Sequence, residues 1–234
     1  MIQVYEATDV GLVRKGNEDS ADVFEPANYV VADGMGGHVA GEVASRMLVN
    51  SVRQKLSGTA AIGEDALCEA ILAGNRAILE SEKDHPDYKG MGTTATVMHI
   101  EGREACWAHV GDSRLYLLRG GEMKQVTRDH SYVEELVAEG TITEAEAKVH
   151  PQRNFLTRAV GIQPELAVDS GHFSLEEQDI LLLATDGLMK MVEDDEIRQV
   201  LESSSADPAK ELVTRALNAG GNDNVTVIVV VFNS

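Results

Sequence analysis

"VTVIVVVF", residues Val225–Phe232, is apolar in both registers of an extended chain. Successive side chains of a strand point to opposite faces, so Val225, Val227, Val229 and Val231 share one face. Thr226, Ile228, Val230 and Phe232 share the other. A strand apolar on both faces needs cover on both, which places it in the middle of a layered structure. Eight residues are too few to cross a bilayer, which takes about 20, and no longer apolar run exists in the chain.

Outward from this strand, the alternation of apolar residues predicts further strands over 2–8, 28–32, 92–100, 104–110, 114–118 and 179–185. Those between 92 and 118 follow one another through short turns, which implies antiparallel pairing. The segment after Thr8 reads as loop. Ala40, Ala44, Leu48, Val52 and Leu56 recur four apart and predict one long helix. Leu67, Ile71, Gly74 and Ile78 form the apolar stripe of a second. Asp207-Pro208 is an N-cap followed by proline at the first helical position, with Gly220 placed to end that helix. Grouped helices and doubly covered strands predict an α+β fold, a four-layer α-β-β-α sandwich of two mainly antiparallel sheets flanked by helix pairs. No repeat, linker or low-complexity tract divides residues 1–234, so one domain is expected.

The 234 residues can bury a sizeable core. A net charge of -19 argues against nucleic acid, whose phosphates need clustered Lys and Arg. The N-terminus lacks a basic start and long apolar stretch, so no secretion signal or membrane association is expected. Two cysteines, Cys68 and Cys106, give no disulfide framework; small buried side chains in a cytoplasmic protein are the expectation. So acidic a surface makes a monomer the default.

Some of the acidity falls where surface charge should not. In "YVVADGMGG", "WAHVGDSRLY" and "LLLATDGL" an apolar strand runs into Asp33, Asp112 and Asp186, and in "GGNDNVTVIVVV" Asp223 precedes its strand. Glu18 and Asp19 sit together in "DVGLVRKGNEDS". Each alone reads as turn chemistry, in which Asp-Gly and Asn-Asp are common. Gathered at adjoining strand ends, carboxylates repel, and a divalent cation between them would relieve the repulsion. An all-oxygen set selects hard ions such as Mg²⁺ or Mn²⁺. The seven histidines are scattered and no Cys/His cluster has zinc-ligand spacing; no EF-hand loop occurs. Spacing by itself does not prove that these acids converge.

Eight ordered motifs, from "TDVGLVRKGNEDS", "VVADGMGGHVAGEVAS" and "GMGTTATV" through "HVGDSRLY", "DHSYVEELVAEG" and "HPQRNFLTRAVG" to "LLLATDGL" and "GGNDNVTVIVV", resemble the type-2C metal-dependent protein Ser/Thr phosphatases (PPM family) in their short bacterial form. The resemblance runs from Thr8 to Val230. It implies hydrolysis of phosphoserine and phosphothreonine in proteins by water activated between two Mn²⁺ or Mg²⁺ ions, with a weaker third ion possible. Asp33 would bridge the metals and the Gly34 carbonyl would add a ligand. Asp186 and Asp223 would complete the pair, while Glu18 and Asp19 act through or orient coordinated water. Asp112 would hold the third metal together with Asp186. Arg14, four residues before Glu18, would grip the phosphate. His38 stands just past the glycines, where either protonating the leaving oxygen or orienting water is open to it. Residues 129–161 would form a flap beside the active-site mouth, in which Arg153 and Arg158 meet substrate or stabilise the flap. The implied partners are phosphorylated proteins and a cognate Ser/Thr kinase. Two other functions stay open: a phosphatase of small phosphate esters, and a catalytically silent metal-binding module.

Overall fold

The computed structural model describes residues 1–36, 40–203 and 205–233. In chain order its elements are β1 (Ile2–Asp9), β2 (Asp19–Phe24), β3 (Asn28–Met35), α1 (Ala40–Leu56), α2 (Glu64–Asp84), β4 (Gly92–Thr93), β5 (Ala95–Glu101), β6 (Glu104–Val110), β7 (Arg114–Arg119) and β8 (Glu122–Gln125). There follow α3 (Tyr132–Ala138), α4 (Glu144–Val149), β9 (Asp169–Ser174), β10 (Ile180–Ala184), α5 (Asp186–Met189), α6 (Asp194–Glu202), α7 (Pro208–Asn218) and β11 (Val225–Phe232).

Among the described residues the strands form two antiparallel sheets. One runs β1-β11-β10-β7-β8 and the other β2-β3-β5-β6-β9, with β4 paired to β3. Three hydrophobic clusters fill the three gaps between four layers. Val30, Ala32, Val97 and Ala108 meet the α1 and α2 stripes. Tyr29, Val31, Met98, Leu183, Ile228 and Val230 pack sheet on sheet. Val225, Val227 and Val229 face α6 and α7. The two faces of β11 therefore belong to two different cores, as its sequence requires.

Every predicted stripe residue of α1 and α2 is buried. Asp207 caps α7 by accepting from the Lys210 N–H at 3.1 Å, with Pro208 in the first turn.

Three expectations need correction. The region after Thr8 is not all loop, because β2 begins at Asp19. The strand near 28–32 runs on to Met35, so Asp33 and Gly34 lie within β3 rather than beyond it. Cys68 and Cys106 are free and half-buried, packed against the edge of the helical core rather than inside it. No helix of the described residues is long and apolar enough to cross a membrane.

Candidate metal centre

A cleft of about 460 Å³ opens where the strand ends of the two sheets meet. Glu18, Asp33, Asp112, Asp186 and Asp223 line it, together with Gly34, Arg14 and Lys190. Asp19 lies behind this wall and is buried.

Each acid is delivered by a different element. Asp33 is placed by β3, where its N–H donates to Thr94 Oγ1 at 2.8 Å and its carbonyl accepts from the Thr94 N–H at 2.9 Å. Asp19 is the Cα partner of Asp33 across the β2–β3 ladder. Its Oδ2 accepts from the Thr185 hydroxyl at 2.8 Å and the Thr226 hydroxyl at 2.7 Å, so the β10–α5 junction and β11 of the other sheet hold it. Asp112 occupies the β6–β7 turn, and Asp186 opens α5 directly after β10.

The loop carrying Arg14 and Glu18 is clamped by Asn224. The Asn224 amide donates to the Val10 and Gly16 carbonyls at 2.9 and 3.0 Å, and its Oδ1 accepts from the Glu18 N–H at 2.8 Å. Gly34 sits where that loop, β3 and α1 touch. A Cβ there would lie 2.1 Å from the Gly41 carbonyl oxygen and 2.5 Å from that of Glu18. Only glycine permits this approach.

Too much negative charge is packed into this cleft for the cations present. Burial, then repulsion from Asp19 and Asp186, pushes the Asp33 carboxyl well above the usual carboxylate range. Burial and Asp186 do the same to Asp112. Burial lifts Asp19 to about 7 against the two hydroxyl hydrogen bonds that favour its charged form. Burial also raises Glu18, with Arg14 opposing it. Asp223 alone goes down: burial would raise it, but Lys190 and Arg14 together outweigh burial. Arg14 Nε lies 2.9 Å from Asp223 Oδ1, and its Nη2 donates to Oδ2 at 3.1 Å. Lys190 Nζ bridges Asp186 Oδ2 at 2.5 Å and Asp223 Oδ2 at 3.1 Å.

Buried oxygens without a hydrogen-bond partner test the fit to a hard cation. Asp19 Oδ1 and Asp186 Oδ1 are both buried and accept no hydrogen bond. An unsatisfied buried carboxylate oxygen is expensive, and a hard cation satisfies it while cancelling the repulsion. In donor type, burial and charge, the residues fit Mn²⁺ or Mg²⁺. Within the same cleft Arg14 pairs with Asp223, and Lys190 pairs with both Asp186 and Asp223.

Sequence reading missed Lys190, although its place four residues after Asp186 in "DGLMK" was available as a helical-turn signal. It also missed Thr185, Thr226, Thr94 and Asn224, which hold the acids through contacts distant in the chain. Arg158 pairs with Asp169 at 2.7 Å, and Arg153 Nη1 donates to the His150 carbonyl at 3.4 Å. His38 lies outside the described residues.

Comparison with known proteins accords with this geometry. Residues 15–224 match the family model for protein phosphatase 2C. The protein phosphatase PhpP of Streptococcus pneumoniae is 40% identical over 237 residues, covering 97% of this chain and 96% of PhpP. The crystal structure of the Mycobacterium tuberculosis Ser/Thr phosphatase PstP/Ppp superposes with a TM-score of 0.93 at 38% identity, covering 100% of this chain and 99% of that one. The catalytic domain of PstP in complex with two manganese ions superposes with a TM-score of 0.91 at 37% identity, with the same coverage.

Proposed function

The chain belongs to the protein phosphatase 2C family, and from that premise we propose that it removes phosphate from phosphoserine and phosphothreonine of proteins, using Mn²⁺ or Mg²⁺. The observation that carries the reading is the cleft itself. Five carboxylates face two cations there, and a buried Asp186 oxygen has no partner.

Asp33, the Gly34 carbonyl, Asp186 and Asp223 would hold two metals, with Glu18 and Asp19 supporting through water and Asp112 serving a weaker third ion with Asp186. Bound divalent metal supplies positive charge to the phosphoryl oxygens and lowers the pKa of water.

The chain's own groups do the rest. Thr185 and Thr226 grip one carboxylate oxygen of Asp19, while Thr94 pins the backbone of Asp33 where β3 enters the cleft. Arg14 is half-exposed over the cleft, so its planar guanidinium is free to exchange Asp223 for two phosphate oxygens. Cleavage of the phosphorus–oxygen bond leaves a Ser or Thr oxygen that must gain a proton, and His38 is the candidate donor. Met35, Phe155 and Leu156 rim the mouth and limit water.

Protein substrates are favoured over small esters by the surroundings. Leu12, Val13 and Phe155 are exposed apolar side chains on the segments that bring Arg14 and Asn154 to the cleft, and they offer contact to polypeptide flanking the phosphorylated residue. Residues 129–161 act as the flap: the His130 N–H donates to the Gly111 carbonyl at 2.7 Å, and the Gly111 N–H donates to His130 Nδ1 at 3.1 Å, tying the flap to the Asp112 turn. A single domain acting as a monomer in the cytoplasm, opposed by a Ser/Thr kinase, completes the reading; both cysteines are free, as a reducing compartment allows.

Turnover of phosphothreonine and phosphotyrosine peptides with Mn²⁺, Mg²⁺ or a chelator tests it. Metal-dependent hydrolysis preferring phosphothreonine is expected. Failure with both metals, or a phosphotyrosine preference, would overturn it.

A further inference from the structure

Lys190 stands in the middle of the carboxylates without belonging to the machinery described so far. It follows the four-residue α5, one helical turn after Asp186, and its N–H donates to the Asp186 carbonyl at 2.9 Å. That turn aims its ammonium at one oxygen of Asp186 and one of Asp223, at 2.5 and 3.1 Å. Its side chain is 29% exposed, whereas both carboxylates are 16% exposed. A charged group so placed is a counter-ion inside the cleft rather than a surface lysine.

The two oxygens it occupies belong to residues assigned above as metal ligands. A divalent cation and an ammonium cannot share them without like-charge repulsion at close range. The other Asp186 oxygen is buried without a partner, so the lysine neutralises the pair only in part. Lysine is suited to leaving: its charge sits on a flexible four-carbon stem, with no fixed fork to lock it in place. Arg14 differs, because it is 52% exposed on a loop and pairs with Asp223 alone among the cleft acids.

We propose that Lys190 is an intramolecular cation that occupies part of the metal centre in the metal-free protein, weakening its affinity for divalent metal and stabilising the metal-free fold. The proposal rests on the metal-binding reading above. Metal entry then requires Lys190 to swing off Asp186 and Asp223, so the protein fills its centre only where the metal is plentiful enough to displace it.

Titration calorimetry with Mn²⁺ alone, on the full chain and on Lys190→Met, Lys190→Gln and Lys190→Arg, tests this. Thermal unfolding of the same proteins in chelator and in saturating Mn²⁺ accompanies it. Met and Gln should each bind Mn²⁺ at least about tenfold more tightly than the unsubstituted chain, whereas Arg, which keeps the charge, should stay close to it. In chelator, Met and Gln should melt at lower temperature, and the rise on adding Mn²⁺ should be larger than in the unsubstituted chain. If Met is too unstable without metal to titrate, Gln retains a hydrogen-bond donor and carries the comparison. Equal Mn²⁺ affinity in all four proteins would overturn this inference and leave the metal reading standing. No Mn²⁺ binding by any of them would overturn both.

Discussion

Asp19 lies directly opposite Asp33 across the β2–β3 ladder, two acids facing each other where a sheet normally avoids like charge. Thr185 and Thr226 grip one oxygen of Asp19 and leave the other buried and unpartnered. The pair is tolerable as free acids with raised pKa values, or as carboxylates around a cation.

Replacing Asp33 with Asn should therefore lower Mn²⁺-dependent turnover by roughly 10²–10³-fold or more while leaving the fold intact. Phosphopeptide kinetics and circular dichroism check both halves. Removing a repelled carboxylate should leave the melting temperature in chelator unchanged or higher.

The pH dependence of the metal-free protein has a definite sign. Asp19 titrates near 7 when folded, against an ordinary value of 3.8. Between about pH 4 and 7 the folded state thus holds a proton that the unfolded state has lost, so this group's contribution to stability falls as pH rises through that window. The slope is at most about 1.4 kcal/mol per pH unit. Asp33 and Asp112 push the same way, while buried His109, lowered to about 3 by burial and then by His130, pushes the opposite way. Urea unfolding in chelator from pH 4.5 to 7.5 should show Asp19→Asn gaining on the unsubstituted chain as pH rises. A constant difference would contradict the assignment.

Arg14→Ala should cost about 10–100-fold in kcat/KM with little loss of stability, because its ion pair with Asp223 is half-exposed and such pairs contribute about 0–1 kcal/mol. Arg14→Lys should recover only part of the loss, since an ammonium does not grip two oxygens as a guanidinium does.

His130 ties residues 129–161 to the Asp112 turn and to Asp169, where its Nε2 lies 3.0 Å from Oδ2. His130→Ala leaves the buried Gly111 N–H without its acceptor and should cost about 1–3 kcal/mol. Limited proteolysis should then cut within residues 129–161 sooner.

Strong periodicity made much of the molecule legible. The two faces of Val225–Phe232 and the stripes of α1 and α2 each report their own burial, and they gave the layers. β2 and β9 were not legible, because "DSADVF" and "DSGHFS" are half-exposed strands with mixed polarity and no clean alternation. The strand-end acids were visible as punctuation. What holds them was not: the partners of Asp19 lie 166 and 207 residues away in sequence. Lys190 was legible only through its four-residue spacing from Asp186, since α5 is too short to show a helical period.

Anomalous diffraction at the manganese edge, from crystals grown with Mn²⁺, addresses the carboxylate cleft most directly. Two strong peaks within coordination distance of Asp33, Asp186 and Asp223, with the Lys190 ammonium moved off both carboxylates, are the expected result. A cleft without anomalous signal, in which Lys190 still bridges Asp186 and Asp223, would contradict it.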